Sequence, residues 1–529
     1  MPNVSFTGGE KMKKLFCAVG VLILGICFLF AQEQKTEEIR LTLQECLEMA
    51  LEKNLDISVS AIDPEIQEFS LRRSKEIFWP RLTFGYNNWQ RNQLGTWWVQ
   101  GTEYTTNTNS YDFGVEQNIV TGGRYSLSLT NSTTDTTQSL VTINPSYSGE
   151  LRFELNQPLL KNFGPKINRR DIRKGRNQID ISTYGLKSTI QQKIYDVEEV
   201  YWRLVSAIES LKVNESRLVY SQEQLKKTKG AARIGSKTAT DVLDAETNVA
   251  NWEDNIIRYR SQVQIAEDNL RSILNLPVDE AETFPRIVPT DRPEVIKKEI
   301  TFDEALNTAL EQRPEMASKD KEIENSSIDV GYFKNQLLPE LNLSFWLYYP
   351  GQSGDRILYL NNDPFTGIRV GVEEGSRSDY MKDILGFKYD NWYIAMNLTI
   401  PLENILSRAS LAESKLQKEK KLLEKEKLYK GIYNEMVQVF KELKNNESRL
   451  ETSARYRELL EKKLEAAEEK YRLGALSSDW LYTYQRDMAN ARVSEIGAII
   501  DYKLSVAKLE KLMGVNLRTK NLKFRDFDF

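Results

Sequence analysis

The chain has 529 residues, 72 of them basic and 76 acidic, with no histidine and a net charge of −4. That length allows several domains or one very elongated one. The lack of histidine removes the commonest general base and the commonest transition-metal ligand, and no basic stripe with interleaved aromatics points to nucleic acid, so neither a metal nor another cofactor is expected.

Residues 1–31 read as a secretory signal: Lys11, Lys13 and Lys14 precede an apolar run from Leu15 to Phe30, and Ala31-Gln32 suits cleavage. Cleavage would remove Cys17 and Cys27 and leave Cys46 alone, so the exported chain has no internal disulfide. No later apolar run reaches the length of a membrane helix. Any membrane-spanning part must be built of strands.

Thr42 and Glu45 form a capping-box pattern that opens an amphipathic helix, with a break expected near Pro64 and an end at Pro80. Alternating segments follow: Leu82, Phe84, Tyr86; then Tyr125, Leu127, Leu129; then Leu151, Phe153, Leu155. Each has one apolar and one polar face. Trp79, Trp89, Trp97, Trp98 and Tyr104 cluster here as an interfacial girdle would. A soluble β-sandwich alternates in the same way. The stretch from Asp112 to Asn131 is either a further hairpin or an external loop.

From about Asn168 to Lys229 the pattern predicts one helix, turned at Gly235. The returning helix carries Val242, Ala245, Val249, Trp252, Ile256, Tyr259, Val263, Ala266, Leu270 and Ile273, in steps of three and four that demand a partner helix. It ends near Pro277, and a Pro-rich linker occupies 278–299. The plan then repeats. Residues 300–313 answer the segment from Leu41, strands are expected around Leu341–Phe345 and Trp392–Ile400 with a loop between, and a second long helix runs from about Asn404 to Tyr471. Gly474 turns it, and Leu481, Tyr484, Met488, Ala491, Ala498, Tyr502, Leu509 and Leu512 carry the return stripe, interrupted by Glu495 and Ser505. The repeats span 39–277 and 300–515, with a tail at 516–529. The tail's Phe524, Phe527 and Phe529 alternate like a terminal barrel strand, although the plan ends in a helix.

The doubled plan, the Leu-Thr-Leu-Gln-Glu-Cys-Leu-Glu-Met-Ala-Leu opening, the Pro-Leu turns into long helices and the Gly-x5-Asp-Val-Leu-Asp-Ala tip resemble the TolC family of outer-membrane efflux proteins. The resemblance implies a mainly α protein with a membrane β-barrel portion: duplicated α-hairpins form a periplasmic α-barrel, and strands form a trimeric outer-membrane β-barrel. It implies a homotrimer in outer-membrane lipid, docked on an inner-membrane transporter through a periplasmic adaptor protein. It also implies a passive exit duct without catalytic residues. Family tips carry an entrance constriction, which makes Asp241, Asp244, Asp479 and Tyr482 its candidates. Gly235, Lys237, Tyr471 and Gly474 become candidate adaptor contacts. Asp241 and Asp479 also fit simple helix N-capping. The other functional class compatible with helical hairpins is a soluble periplasmic coiled-coil adaptor or scaffold.

Overall fold

The computed structural model describes residues 38–94, 103–276, 286–293, 295, 297 and 299–524, except the side chains of residues 478 and 479. The signal segment, Trp97, Trp98, Phe527 and Phe529 lie outside the described residues, as does part of the linker.

β1 (Glu38–Leu41) leads into α1 (Leu43–Lys53). The expected capping box forms: the Thr42 N–H donates to the Glu45 carboxylate at 2.7 Å, and the Glu45 N–H donates to the Thr42 hydroxyl at 3.2 Å. The break comes at Asn54, not near Pro64. Asn54 has extended backbone, and its side chain accepts from the N–H groups of Asp56 and Ile57, which starts α2 (Leu55–Glu76). Pro64 sits inside that helix, where its missing N–H forgoes a single backbone bond.

β2 (Arg81–Leu94), β3 (Glu103–Asn118), β4 (Arg124–Thr136) and β5 (Ile143–Pro158) then form an antiparallel meander. Residues 112–131 are thus the β3–β4 hairpin of this sheet. A short α3 (Pro165–Asn168) precedes α4 (Arg170–Arg233), which is 64 residues long, about 95 Å at about 1.5 Å per residue. α5 (Ala239–Ile273) returns beside it.

Inside the expected linker, β6 (Arg286–Pro289) pairs in parallel with β1 and brings the starts of both repeats together. α6 (Phe302–Gln312) repeats the capping box with Thr301 and Glu304. α7 (Pro314–Asn335) leads to β7 (Glu340–Tyr359). The expected loop contains β8 (Arg369–Glu373) and a helix, α8 (Arg377–Leu385), capped by Ser376 and Asp379. β9 (Asn391–Thr399), α9 (Ile405–Arg472), α10 (Ser478–Leu512) and α11 (Asn516–Thr519) complete the chain.

The coiled-coil stripes are buried as their spacing requires. Ala245, Val249, Trp252, Ile256, Val263 and Leu270 are buried on α5, and Leu481, Met488, Ala491, Ala498, Tyr502, Leu509 and Leu512 on α10. Both interruptions are accommodated. Glu495 receives Arg457 from α9 at 2.8 Å, and the buried Ser505 donates to the Tyr502 carbonyl at 2.7 Å. Polar clamps tie the repeats: Gln191 donates to the Gly514 carbonyl and Asn516 donates back to the Gln191 carbonyl, each at 2.8 Å. Tyr201 donates to Asp291 at 2.7 Å, and Asp291 also accepts the Leu43 N–H at 2.7 Å. Leu522 and Phe524 pack into the core beside α1 and α4.

The rods form one layer of four helices at each level. Nearer the sheet the order is α2, α4, α7, α9; toward the tips it is α5, α4, α10, α9. The flanks are open. On α2, Val59, Ile62, Ile66 and Phe69 form a second apolar stripe, each more than half exposed. Ile257 and Ile265 on α5, and Leu416 and Leu423 on α9, are likewise uncovered.

Candidate functional site

Two places carry candidate function: the sheet and the paired hairpin tips. The sheet runs β2-β3-β4-β5-β7, with β9 pairing the first half of β7 and β8 its far end. Because side chains alternate, register sorts the sheet into two unlike faces. One row across six strands reads Leu82, Val115, Leu127, Phe153, Leu347, Trp392. The next reads Phe84, Phe113, Leu129, Leu151, Tyr349. On the opposite face the rows read Arg81, Glu116, Ser126, Glu154, Trp346, Tyr393 and Thr83, Gly114, Ser128, Arg152, Tyr348, Asn391. Arg81 pairs with Glu116 at 2.7 Å on that polar face.

Among the described residues, nothing covers these apolar rows. Leu82, Phe84, Phe113, Trp392, Ile394 and Met396 are each more than half exposed. Along β7 the apolar positions run from Leu341 to Tyr349, about 27 Å at about 3.4 Å per residue. That run of nine residues matches the roughly 9–11 tilted residues a strand needs to cross a bilayer. The backbone edges of β2 and β9 are both unpaired within the sheet.

The aromatic girdle needs correcting. Trp89 and Tyr104 lie on the polar face, where the Arg91 guanidinium sits 5.0 Å from the Trp89 ring and Tyr104 donates to Gln93 at 2.8 Å. Trp79 is exposed in the turn before β2. The rim of the apolar face is instead marked by Tyr86 and Tyr111, with ring centroids 5.0 Å apart, and by Tyr349. Counting parity from Leu82 would have separated Trp89 from the belt.

At the tips, Gly235 and Gly474 both take left-handed backbone, with φ of +75° and +74°. A side chain would strain there. Each lets the next residue's N–H reach back over the helix end: Ser236 to the Ala231 carbonyl and Ala475 to the Lys470 carbonyl, both at 2.9 Å. The tips lie side by side. Lys237 Nζ sits 4.9 Å from the centre of the Tyr471 ring and 3.9 Å from Asp241. Asp241 closes a capping box, accepting from the Thr238 N–H and hydroxyl at 2.8 Å each. Helix capping is therefore one role of Asp241. The Asp479 side chain lies outside the description.

Tyr482 faces this cluster. Burial first, then the charges of Tyr471, Asp244 and Asp241, push its hydroxyl up to about 12. The fold thus brings together Lys237, Tyr471, Asp241, Asp244 and Tyr482 from both repeats. Asp244 and Tyr482 also line a polar groove of about 450 Å³ between α5 and α10, with Asn248, Asn251, Asn255, Arg258 and Arg486. Sequence reading missed these asparagines. Their spacing of three and four, beside the apolar stripe, is the signal that a second face of α5 is polar. Among the described residues, no group of His, Cys, Asp or Glu could hold a metal ion.

Residues 124–276, spanning β4 through α5, match the family model described as outer membrane efflux protein. Among curated proteins, none matches the sequence. Solved structures with the same fold include the Campylobacter jejuni CmeC outer membrane channel, 15% identical, covering 92% of this chain and 87% of that one with a TM-score of 0.62. The Neisseria gonorrhoeae MtrE outer membrane channel is 15% identical, with coverage of 90% and 89% and a TM-score of 0.59. The outer membrane protein VceC from Vibrio cholerae is 12% identical, with coverage of 89% and 96% and a TM-score of 0.58. Residues 124–276 thus match the outer membrane efflux protein family model, and over about nine-tenths of its length the chain shares the fold of solved outer-membrane channels.

Proposed function

We propose that the protein is the outer-membrane channel of a tripartite efflux or type I secretion system, spanning the outer membrane and reaching into the periplasm. One observation carries this reading: both tiers of the molecule end in open margins of matching kind. The sheet has an uncovered apolar face and two unpaired backbone edges. In lipid such edges must be closed by another chain, since an unpaired backbone group there costs several kcal/mol. The helical layer has apolar flanks at both levels. A ring of identical copies answers both needs at once.

Three copies of a six-strand wall would close as a barrel of eighteen strands, with the apolar belt toward lipid and the charged rows toward a water-filled lumen. The rods would continue that lumen as an α-barrel. At its end the Asp241 and Asp244 carboxylates, with Tyr482, would ring the axis and favour cations. Asp479 is a further candidate for that ring. Gly235, Lys237, Tyr471 and Gly474 would meet a periplasmic adaptor, through which the duct joins an inner-membrane transporter. A passive tube takes its cargo from that transporter. A soluble coiled-coil scaffold has no use for an apolar belt six strands wide.

The test is membrane fractionation followed by planar-bilayer recording of the detergent-purified protein. The expected result is a trimer that resists salt washing and conducts, with cation preference reduced by Asp241→Asn and Asp244→Asn together. A monomer released by salt, without conductance, would defeat the proposal.

A further inference from the structure

Helix α8 stands on the apolar face of the wall, at the end of the sheet away from the rods. Its seat is a glycine shelf. Gly149 on β5 and Gly351 on β7 are register partners. A Cβ on Gly149 would lie 2.9 Å from the Tyr380 ring, and one on Gly351 would lie 2.4 Å from the Tyr380 carbonyl oxygen. Ile384 is fully buried against the same shelf, and Tyr380 donates to Asn131 of β4 at 3.0 Å. Asn131, Gly149 and Gly351 form the row immediately beyond Phe113, Leu129, Leu151 and Tyr349. The helix therefore begins where the belt stops.

Its direction is also fixed. At its start, the Arg377 guanidinium sits 5.0 Å from the ring of Tyr147, one row farther from the belt. Just past its end, Phe387 meets Tyr349 of the belt edge-on, with centroids 4.8 Å apart. The charged residues Arg377 and Asp379 lie toward the far end, and Lys382 reaches back to Asp379 at 3.1 Å. Leu385, Phe387 and Tyr389 lie toward the belt, 61%, 57% and 50% exposed, and run on into Trp392 of β9. Apolar side chains thus lead from the end of α8 into the belt, alternating with the exposed Lys388 and Asp390, and Lys388 turns back onto Asp383 at 2.9 Å.

We propose that α8 is an interfacial anchor in the outer leaflet, with Leu385 and Phe387 among the acyl chains and the helix start at headgroup level. This rests on the outer-membrane reading above. An amphipathic segment at the rim of an apolar band gains by burying its apolar end in the boundary region while its charges stay hydrated. The glycine pair allows the helix to lie flat on the wall. The occupant is lipid because the exposed residues extend the apolar rows of the wall, which no described residue covers.

Single cysteines test this in the full chain carrying Cys17→Ser and Cys27→Ser, reconstituted into phosphatidylcholine vesicles. The native Cys46 is fully buried, so an environment-sensitive label attaches selectively to Leu385→Cys, Phe387→Cys, Lys382→Cys or Ile394→Cys. Ile394 lies in the belt and reports on the wall itself. The expected result is several-fold less iodide quenching at positions 385 and 387 than at 382, together with quenching by a nitroxide placed near the lipid headgroup. Iodide access at 385 and 387 equal to that at 382, with 394 still lipid-quenched, overturns the anchor while leaving the channel reading intact. Shielding of 385 and 387 from both quenchers also overturns it, because a second copy or another protein then covers them. Water access at 394 would instead mean that the outer-membrane reading itself had failed.

Discussion

The two repeats agree in their helices and differ in their strands. α1 and α6 each have 11 residues, α2 and α7 each 22, and α5 and α10 each 35, while α4 and α9 have 64 and 68. The wall is unequal. The first repeat contributes β2 to β5, whereas the second contributes β7 and β9 with the short β8 and α8 between them. Rods packed along a heptad seam must match in length and register, because a gap leaves a whole stripe bare. A meander has no such constraint. Adding one up-down hairpin leaves the direction of the chain at both ends unchanged, so the wall can widen while the rods stay fixed.

If the rods are equivalent, equivalent damage must cost the same. Leu204 of α4 and Met436 of α9 are both fully buried. Leu204→Ala and Met436→Ala should each cost about 2–5 kcal/mol, read as unfolding of the helical circular dichroism signal in detergent. A large effect at one site only would show that one hairpin carries the fold. The wall should instead discriminate between faces. Leu129→Arg, in the belt, should cost about 2–4 kcal/mol and reduce the assembled, detergent-resistant form. Ser126→Arg, on the polar face between Glu116 and Glu154, should change little. Equal losses would mean that neither face meets lipid.

The rods were legible because burial there follows a single period. Residues from Val242 to Ile273 specify their own partner, and Gly235 and Gly474 mark the turns. The wall was legible in part. Leu82 to Tyr86 and Leu151 to Leu155 alternate cleanly, but the first half of β3 is largely Thr, Asn and Ser, and only its pairing with Phe84 and Leu129 shows that Phe113 and Val115 belong to a belt. Helix α8 was hidden because its shelf is made across 202 positions of sequence, from Gly149 to Gly351. The tip residues Lys237, Asp241, Tyr471 and Tyr482 could be listed from spacing. Their meeting depends on how two hairpins pack, which no single stretch encodes.

Smaller substitutions sharpen the contrast between the tips. Gln485 on α10 lies between Leu481 and Met488 on the buried stripe, and both polar atoms of its amide are buried without a hydrogen-bond partner among the described residues. Gln485→Leu should raise stability by about 1–3 kcal/mol, the desolvation cost of an unpaired group. A drop instead would reveal a partner for that amide in the assembled protein. The helix starts differ too. Thr238 makes a capping box, whereas Ser477 makes no side-chain cap bond. Thr238→Ala should cost about 1 kcal/mol, with Ser477→Ala close to neutral in the same melts.

The smallest effect tests whether the tips pack together. Where the first repeat has Leu243, 62% exposed, the second has Tyr482, half-buried against the first tip. Burial and the nearby Asp244 and Asp241 raise its hydroxyl from 10.0 to about 12. A raised acid favours the neutral form in the fold, so its contribution is fully present below pH 10 and is lost as pH climbs toward about 12. Tyr482→Phe should therefore flatten the loss of melting temperature over that window and leave neutral pH unchanged. The flattening is partial, because Tyr195 and Tyr220 are also raised to about 12, each by burial first, and share the same window. An alkaline limb identical to that of the unsubstituted protein would mean that the Tyr482 hydroxyl is solvated. The two tips would then be neighbours rather than a packed pair, and the repeats would be joined only nearer the sheet, where Gln191 and Asn516 hold them.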